Sequence, residues 1–343
     1  MKIDLFLDSR DYGGIEAHVF QLARALVAER HQVTVLFFKR YGDHPLAQAL
    51  MNEGVAVEFL SGQWRHALNT LKQRGSDILH THGYKAGIIG RFSTLGRKTA
   101  CCSSFHAGEK SYGKLALYTW LDRSTAFLAQ KIIAVSDEIA RHLPVNAKVL
   151  RNFVDVKLHN HQGRDIAFVG RLSFEKGPDI LLDIAKIFPD QQFHIYGDGP
   201  MRAQLEQSAT NNVVFHGRVD MKQHWPQIGL LLMPSRAEGL PLAALEAMAA
   251  GVNVVASPVG DLPKLISNTK NGWLAKNTPS QFSKAIGHWL RLDYWQRKTM
   301  SYSAQIHIAR HYSTEAVIPS FIECYQSALA CRQAGPIESG HHA

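Results

Sequence analysis

Cysteine is scarce in this sequence, and long hydrophobic runs are absent from it. Of its four cysteines, Cys101 and Cys102 are adjacent, while Cys324 and Cys331 lie in a helical C-terminal pattern. This arrangement matches neither a disulfide framework nor a zinc C-x-x-C motif. No stretch reaches the roughly 18–20 apolar residues of a membrane-spanning helix, and the N-terminal MKIDLFLDSRDYGG is too short and too acidic for a signal peptide. We therefore expect reduced, buried thiols and a cytoplasmic location.

Acidic side chains are also fewer than basic ones. The chain has 29 Asp and Glu against 38 Lys and Arg, for a net charge of +9, and residues 1–150 hold 19 of the basic and 13 of the acidic side chains. This excess favours an acidic partner: nucleic acid, an anionic membrane or a phosphorylated substrate. No nucleic-acid-binding motif accompanies the charge, which disfavours the first of these. A composition of 45% hydrophobic and 20% charged residues excludes a disordered chain.

Short β-rich runs alternate with helical patterns along the chain, as in KIDLFL before IEAHVFQLARALVAER and DIAFVG before PDILLDIAKIF. This alternation is typical of βαβ units and parallel sheets, and a polar, turn-rich segment at 144–165 interrupts it. We predict an α/β fold of two doubly wound, Rossmann-like domains facing a cleft, where ligands bind at the carboxyl ends of the strands. The predicted ranges are an N-terminal domain at 1–157, a C-terminal domain at 158–314, a helix at 315–332 that packs back on the N-terminal domain, and a polar tail at 333–343.

The segment MPSRAEGLPLAALEAMAAG predicts a strand, a short loop and a helix. Pro241 suits the first helical position and Gly251 the end of the helix. The backbone N–H groups from Gly239 onward would then form a site for a phosphate. Glu238 and Glu246 would bracket this site, and because carboxylates repel phosphate they are better suited to hydroxyl groups beside it. The alternative is a solvated Glu246 and a Glu238 that stabilises the helix dipole.

Two further loops of the C-terminal half carry possible ligand-binding residues. VGRLSFEKG places Arg171 and Lys176 between a strand and a helix, and a guanidinium beside an ammonium suits a diphosphate. The alternative is a surface ion pair between Arg171 and Glu175. YGDGPMR begins like a dinucleotide-binding fingerprint, but Arg202 replaces the third glycine, which weakens that interpretation.

The N-terminal half contains a glycine pair and three histidines at predicted strand ends. Gly13 and Gly14 precede an amphipathic helix, so they either allow a ligand to approach the backbone closely or form a plain tight turn. His80 and His82 share a strand face, and His106 follows the next strand. No third metal ligand is evident near His80 and His82 in sequence, so we expect no metal site.

The segment after His106 contains a misleading motif. Gly108-EKSY-Gly113-Lys114 has the spacing of a P-loop, but Leu115 stands where Ser or Thr must hold the metal ion, which excludes an NTPase. The sequence that follows, YGKLALYTWLDRSTAFLAQK, is helical, aromatic and basic. It suits either the surface of an anionic bilayer or an ordinary core helix, and we favour the core helix.

Five segments together resemble the C-terminal domain of a known family. VGRLSFEKG, YGDGP, FHGRV, Glu238-GLPLAAL-Glu246 and VNVVASPVG are similar in order and spacing to the GT-B-fold retaining glycosyltransferases, the large family that includes sucrose, mannosyl and N-acetylglucosaminyl transferases. Lys264 stands where the family commonly has glutamate, a departure that we expect to affect a surface pair.

The resemblance implies a hexosyl- or N-acetylhexosaminyl-transferase that uses a nucleotide-sugar donor. It implies that Glu238 binds donor-sugar hydroxyls, that Glu246 binds the ribose, and that Arg171 and Lys176 bind the diphosphate. It also implies that the backbone of Gly239 and Leu240 contacts the sugar and phosphate, and that Gly13 and Gly14 contact the diphosphate and the acceptor. His106 would lie in the active site near the reactive carbon, and His82 would have a structural or acceptor role.

A mechanism follows from these residues and from the absence of a D-x-D motif. We expect no metal and no cofactor, with Arg171, Lys176 and a helix N-terminus stabilising the leaving diphosphate; retention is implied by the resemblance alone. The expected partners are a nucleotide-sugar donor, a lipid-linked or polysaccharide acceptor of bacterial envelope assembly, and the inner face of an anionic membrane. The alternatives are a nucleotide-sugar epimerase on the same fold and a non-catalytic, nucleotide-sugar-binding partner subunit.

Overall fold

The structure, a computed structural model, describes residues 1–106, 114–158 and 160–333. The chain divides into two compact units: Met1–Arg151 together with the chain from Val317 onward, and Asn152–Ala316. The division therefore falls six residues before the predicted boundary at 157/158. The reason is local: the Asn152 side-chain amide donates to Leu240 O at 2.7 Å and Val154 N donates to Tyr312 O at 2.9 Å, so both residues are bonded to the second unit.

The first unit alternates strands and helices from its first residues. Its strands and helices are β1 (Lys2–Leu7), α1 (Gly14–Ala28), β2 (Gln32–Phe37), α2 (Pro45–Asn52), β3 (Ala56–Phe59), α3 (Trp64–Gln73), β4 (Ile78–His82), α4 (Tyr84–Thr94), β5 (Ala100–Phe105), α5 (Lys114–Ser124), β6 (Lys131–Ala134), α6 (Asp137–Arg141) and β7 (Lys148–Val149).

The second unit repeats the pattern. Its strands and helices, with the helix that returns to the first unit, are β8 (Asp165–Val169), α7 (Pro178–Ile187), β9 (Phe193–Tyr196), α8 (Arg202–Ser208), β10 (Val213–Gly217), β11 (Ile228–Met233), α9 (Leu242–Ala249), β12 (Asn253–Ala256), α10 (Leu262–Leu265), β13 (Gly272–Leu274), α11 (Pro279–Arg291), α12 (Tyr294–His311) and α13 (Thr314–Gln333).

Both units contain one parallel sheet with a doubly wound strand order. The order is β3-β2-β1-β4-β5-β6-β7 in the first unit and β10-β9-β8-β11-β12-β13 in the second. The direction of winding reverses between β1 and β4 and between β8 and β11. Loops at such a switch point diverge and leave a crevice at the carboxyl ends of the strands. The predicted α/β class with two doubly wound sheets is confirmed.

Packing on both faces explains why the central strands are buried along their whole length. All six residues of β11 are buried, as are all five of β4, including His80 and His82. In the second unit, β11 packs with fully buried side chains from α7, β9 and α11, among them Leu181, Phe193 and Phe282. Parallel sheets covered by helices on both faces require this pattern.

The C-terminal helix α13 contributes to the interior of the first unit. Tyr325 is fully buried, and its hydroxyl lies 2.7 Å from His80 Nδ1. All four cysteines are free, but Cys331 is exposed, so the expectation of buried thiols is wrong for that residue. Of the predicted polar tail, residues 334–343 lie outside the described residues.

Helix α5 is not an ordinary core helix, and the preference stated for its sequence is wrong. Leu117 and Trp120 are 58% and 60% exposed, and Phe127, just beyond the helix, is 70% exposed. The opposite side of α5 is anchored because Asp122 forms an ion pair with the fully buried Arg91. No helix among the described residues is long and apolar enough to cross a membrane. The P-loop-like spacing starts at 108, so all of it before Lys114 lies outside the described ranges.

Candidate active site

Two loops meet at the switch point of the second sheet, one after β8 and one after β11. They are joined because Arg236 N donates to Glu175 O at 2.7 Å and the Arg236 guanidinium pairs with Asp179 at 2.6 Å. Gly177 has φ +68°, and a Cβ built there would lie 2.0 Å from Pro234 O. Only glycine permits this approach, so these two loops hold a fixed relative position.

Glu238 lies at the centre of this junction. Its side chain is 4% exposed; Oε2 accepts from Lys176 Nζ at 2.6 Å and Oε1 accepts from Ser235 Oγ at 2.7 Å. The structure thus brings together Glu238 and Lys176, which are 62 residues apart in sequence. Sequence reasoning missed Ser235, whose place in the PSR tripeptide next to Glu238 was the available signal.

Helix α9 begins one residue later than the sequence predicted. Pro241 is extended and forms the N-cap, so Leu242 is the first helical residue; Gly251 follows the C-cap with φ +86°. The N–H groups of Leu242 and Ala243 make no backbone hydrogen bond within the described ranges. They form the anion-binding end of a helix, and Gly239 and Leu240 lead directly into it.

Glu246 lies on α9, one turn and a half beyond this end. Burial raises its pKa to about 7, opposed by the charge of Lys222 and a hydrogen bond with Trp225, while Asp220 adds to the rise. Glu246 is half-buried rather than exposed, which disfavours the solvated-residue alternative. A carboxyl group with a pKa near neutrality is typical of a functional site.

Arg171 and Lys264 complete the charged groups of this edge. Arg171 is exposed and forms no ion pair with a carboxylate of the described residues, so the suggested pair with Glu175 is not observed; Glu175 instead bonds Ser173. Lys264 pairs with Asp261 at 3.1 Å, and Asp261 N donates to Gly239 O at 2.9 Å.

Three histidines converge at the carboxyl edge of the first sheet. His82 Nδ1 lies 3.1 Å from His106 Nε2, and the ring of His18, from α1, lies 4.9 Å from that of His106 and 5.6 Å from that of His82 between centroids. Sequence reasoning missed His18. Its position on the apolar, buried face of α1, with Val19 and Leu22, was the available signal.

The pKa values of His80, His82 and His106 are lowered, which favours their neutral imidazoles. Burial and the neighbouring rings lower the pKa of both His82 and His106, and burial lowers that of His80 to about 3. His82 Nε2 is buried with no hydrogen-bond partner among the described residues. One ring nitrogen of each of His18, His82 and His106 lies within 4.8 Å of the others, a group that could hold a metal ion. This group differs from the His80–His82 pair considered in the sequence, because His80 is hydrogen-bonded through both ring nitrogens to Tyr325 and Ser104.

The backbone at Gly13 and Gly14 is less accessible to a ligand than the sequence suggested. Helix α1 begins at Gly14 with Gly13 as its N-cap. The Gly13 N–H donates to Glu16 Oε2 at 2.9 Å. A carboxylate of the same chain therefore already occupies part of this helix N-terminus, and Gly14 retains open space beside its Cα.

Two family models match the chain. One, described as glycosyltransferase family 4, matches residues 12–158, and the other, described as glycosyl transferases group 1, matches residues 163–291. The two matches thus meet near the division between the two units.

Similar proteins include two sequence relatives and one solved structure. The D-inositol 3-phosphate glycosyltransferase of Mycobacterium leprae is 30% identical over 316 residues, covering 75% of this chain and 71% of that protein. The UDP-Gal:alpha-D-GlcNAc-diphosphoundecaprenol alpha-1,3-galactosyltransferase of Escherichia coli is 26% identical over 259 residues, covering 63% of this chain and 67% of that protein. Anabaena HepE, solved in complex with UDP-glucose, superposes with a TM-score of 0.84 at 20% identity, covering 95% of this chain and 100% of that one.

The two doubly wound sheets and the loops at their switch points define a glycosyltransferase of the GT-B fold. More specifically, the chain belongs to the group 1 glycosyltransferases. This confirms the part of the sequence resemblance that concerns group 1 glycosyltransferases and the GT-B fold.

Proposed function

We propose that this chain transfers a hexosyl or N-acetylhexosaminyl group from a nucleoside diphosphate sugar to a hydroxyl of a lipid-linked or polysaccharide acceptor. The observation that carries the proposal is the contact between Lys176 and Glu238, 2.6 Å apart, in the loop that leads to α9, whose Leu242 and Ala243 N–H groups make no backbone hydrogen bond within the described ranges. The printed substrates of the E. coli relative and the UDP-glucose bound by HepE support the substrate classes.

The donor diphosphate fits the cations and amides of the second unit. Arg171, Lys176 and the first N–H groups of α9 would stabilise the charge that develops on the leaving diphosphate. Glu238 keeps unused lone pairs for hydroxyls of the sugar, while Glu246 would bind the ribose. Gly239 and Leu240 would lie against the sugar and phosphate because they connect Glu238 to the helix.

Retention of the anomeric configuration is part of the proposal. Both Glu238 oxygens accept hydrogen bonds, which makes this carboxylate a poor nucleophile. Attack by the acceptor from the side of the leaving diphosphate requires no enzyme nucleophile, so it is compatible with the residues present.

In the first unit, we propose that His106 and His82 bind hydroxyl groups of the sugar or of the acceptor. A neutral imidazole can donate to or accept from a hydroxyl, and the buried, unpartnered His82 Nε2 would gain a partner when a ligand binds. Gly14, with open space beside it, would admit the ligand near the same edge.

Replacing Glu238 with Gln tests its assigned role. The change preserves the shape of the side chain but removes the charge that faces Lys176, and we expect kcat/KM for transfer to fall by about 100-fold or more. The donor would first be chosen by thermal shift against UDP-, GDP- and ADP-sugars, with a polyprenyl-diphosphate-linked N-acetylhexosamine as acceptor.

Glu206→Gln, on the surface of α8, is the matched control and is expected to retain full activity. Unchanged turnover in Glu238→Gln would contradict the assignment. Interconversion of the donor sugar in the absence of acceptor would indicate an epimerase instead.

The raised pKa of Glu246 predicts a pH dependence of donor binding. The carboxylate, which accepts hydrogen bonds from ribose, dominates above pH 7, so the KM for the donor should rise up to about 10-fold as the pH falls from 8 to 6. Glu246→Gln should show a higher KM at pH 8 and little change with pH. The lowered pKa values of His82 and His106 keep both rings neutral over this range. Persistence of the wild-type slope in Glu246→Gln would contradict this prediction.

We further propose that catalysis needs no metal ion, with Arg171 and Lys176 taking the place of one. Dialysis against EDTA should leave the transfer rate unchanged. A complete loss of activity that Mn²⁺ or Zn²⁺ restores would contradict the proposal, and loss of that restoration in His18→Gln would then locate the ion at the three histidines.

Helix α5 and the segment after it expose an apolar surface that suits contact with an anionic membrane. Leu117, Trp120 and Phe127 form this face, Arg123 lies on the same helix, and the helix's own Asp122 is neutralised by Arg91. Aromatic side chains beside a cation are typical of surfaces that lie in a bilayer interface.

Sedimentation with vesicles containing phosphatidylglycerol tests this surface. We expect binding by the wild-type protein and several-fold weaker binding by Trp120→Ser with Phe127→Ser, because both remove interfacial apolar area. Trp295→Ser, at a tryptophan of the second unit that is 68% exposed, is the control. An equal loss of binding in the control would contradict the assignment to α5.

A further inference from the structure

A cavity of about 180 Å³ lies in the second unit, at the amino-terminal edge of its sheet. Residues at or before the starts of β8, β11 and β12 line one side of it, and the end of α11 and the first turns of α12 line the other. Because β8 and β11 both run away from this edge, the cavity lies at the opposite end of the sheet from Glu238 and Lys176. The residues that matter for its chemistry are Arg164, Asn253, Trp289, Tyr294, Arg297 and Lys298.

The cavity is lined by three cations and by no carboxylate. Arg164, Arg297 and Lys298 form no ion pair with any acidic side chain in the described part of the chain. Asp293, next to the cavity in sequence, is used as a helix cap, its Oδ1 accepting from Gln296 N at 2.8 Å. The pKa of Arg297 is lowered by burial and by the charge of Arg164, so these two cations are close enough to repel each other.

The Arg297 guanidinium is held rigidly. It stacks over Trp289, 4.4 Å from the ring centroid, and it donates from Nε to Leu292 O at 3.2 Å and from Nη2 to Leu290 O at 3.0 Å. A fixed cation loses less conformational entropy on binding an anion than a mobile one.

A buried amide at the cavity lacks an acceptor. Asn253 is 1% exposed, and its Oδ1 accepts from Trp289 Nε1 at 3.3 Å. This bond fixes the amide so that Nδ2 is the donor, and Nδ2 has no hydrogen-bond partner among the described residues. Buried donors are nearly always paired, and the cavity greatly exceeds the roughly 10–15 Å³ that one water needs.

Tyr294 lines the cavity, and two further exposed aromatic residues, Trp295 and Tyr302, lie on the same helix. Tyr294 and Trp295 are 46% and 68% exposed, and Tyr302, two turns further along α12, is 59% exposed. Lys298 Nζ lies 5.9 Å and 5.3 Å from the ring centroids of Tyr294 and Trp295. Flat ring faces next to a cation can pack against the C–H face of a pyranose whose charged group enters the cavity.

We propose that this cavity binds an anionic sugar, with the phosphate or carboxylate group against Arg164, Arg297, Lys298 and Asn253 Nδ2. The site is separate from the proposed donor site and does not depend on the proposed transfer reaction. It would hold a charged saccharide while the opposite edge of the sheet binds the nucleotide.

Calorimetric titration of the full chain with glucose 6-phosphate, glucuronate, inorganic phosphate and glucose tests the proposal. We expect saturable binding of the anionic sugars at low salt and none of glucose; the comparison of glucose 6-phosphate with glucuronate distinguishes a phosphate from a carboxylate ligand. Arg164→Gln with Lys298→Gln should weaken binding at least tenfold, whereas Lys284→Gln, an exposed lysine on α11, should not change it.

Asn253→Asp provides a second variant. It keeps the acceptor for Trp289 Nε1 but places a negative charge at the cavity, so it should abolish binding of the anionic sugars while the circular dichroism spectrum stays native. Binding that Arg171→Gln abolishes and Arg164→Gln leaves intact would place the anion at the donor site and overturn the proposal. Equal binding of glucose, or no binding of any anion by the wild-type protein, would also overturn it.

Discussion

The close approach of the two loops at the switch point of the second sheet is the constraint on which the proposed donor site depends. A Cβ at Gly177 would lie 2.0 Å from Pro234 O, and a third loop, after β12, packs on the same place because a Cβ at Gly260 would lie 2.4 Å from Glu238 O. Both glycines have positive φ, so any other residue would be strained as well as crowded. These contacts place Lys176 against Glu238 and set the loop that leads into α9.

The fold was largely predictable because hydrophobic periodicity reports directly on sheets that are buried on both faces. The sequence also pointed to Glu238 and Lys176, which the structure brings within 2.6 Å, because each lies in a loop after a recognisable strand in a family motif; the roles of Glu246 and Arg171 stay predictions. The contacts made by His18 and Ser235 were not predictable, because they depend on side chains that meet only after folding. The first helical residue of α9 was missed by one position, since Pro241 can serve as N-cap or as first helical residue.

The positive charges of the chain lie in different electrostatic environments at the two edges of the second sheet. Arg171 and Lys176 lie at the carboxyl edge of the second sheet, where one of them is already balanced by Glu238. Arg297 and its neighbours at the amino edge have no such balance among the described residues. A net charge of +9 could not reveal this division, because it depends on which cations have a carboxylate beside them.

The anomeric configuration of the first product formed is the most direct test of the proposed reaction. Proton NMR of an early reaction mixture, with an α-linked nucleotide sugar and a polyprenyl-diphosphate-linked N-acetylhexosamine, should show a new α-glycosidic linkage together with release of the nucleoside diphosphate. A β-linked product, or loss of the donor without a new glycosidic bond, would contradict retaining transfer at the Glu238 site.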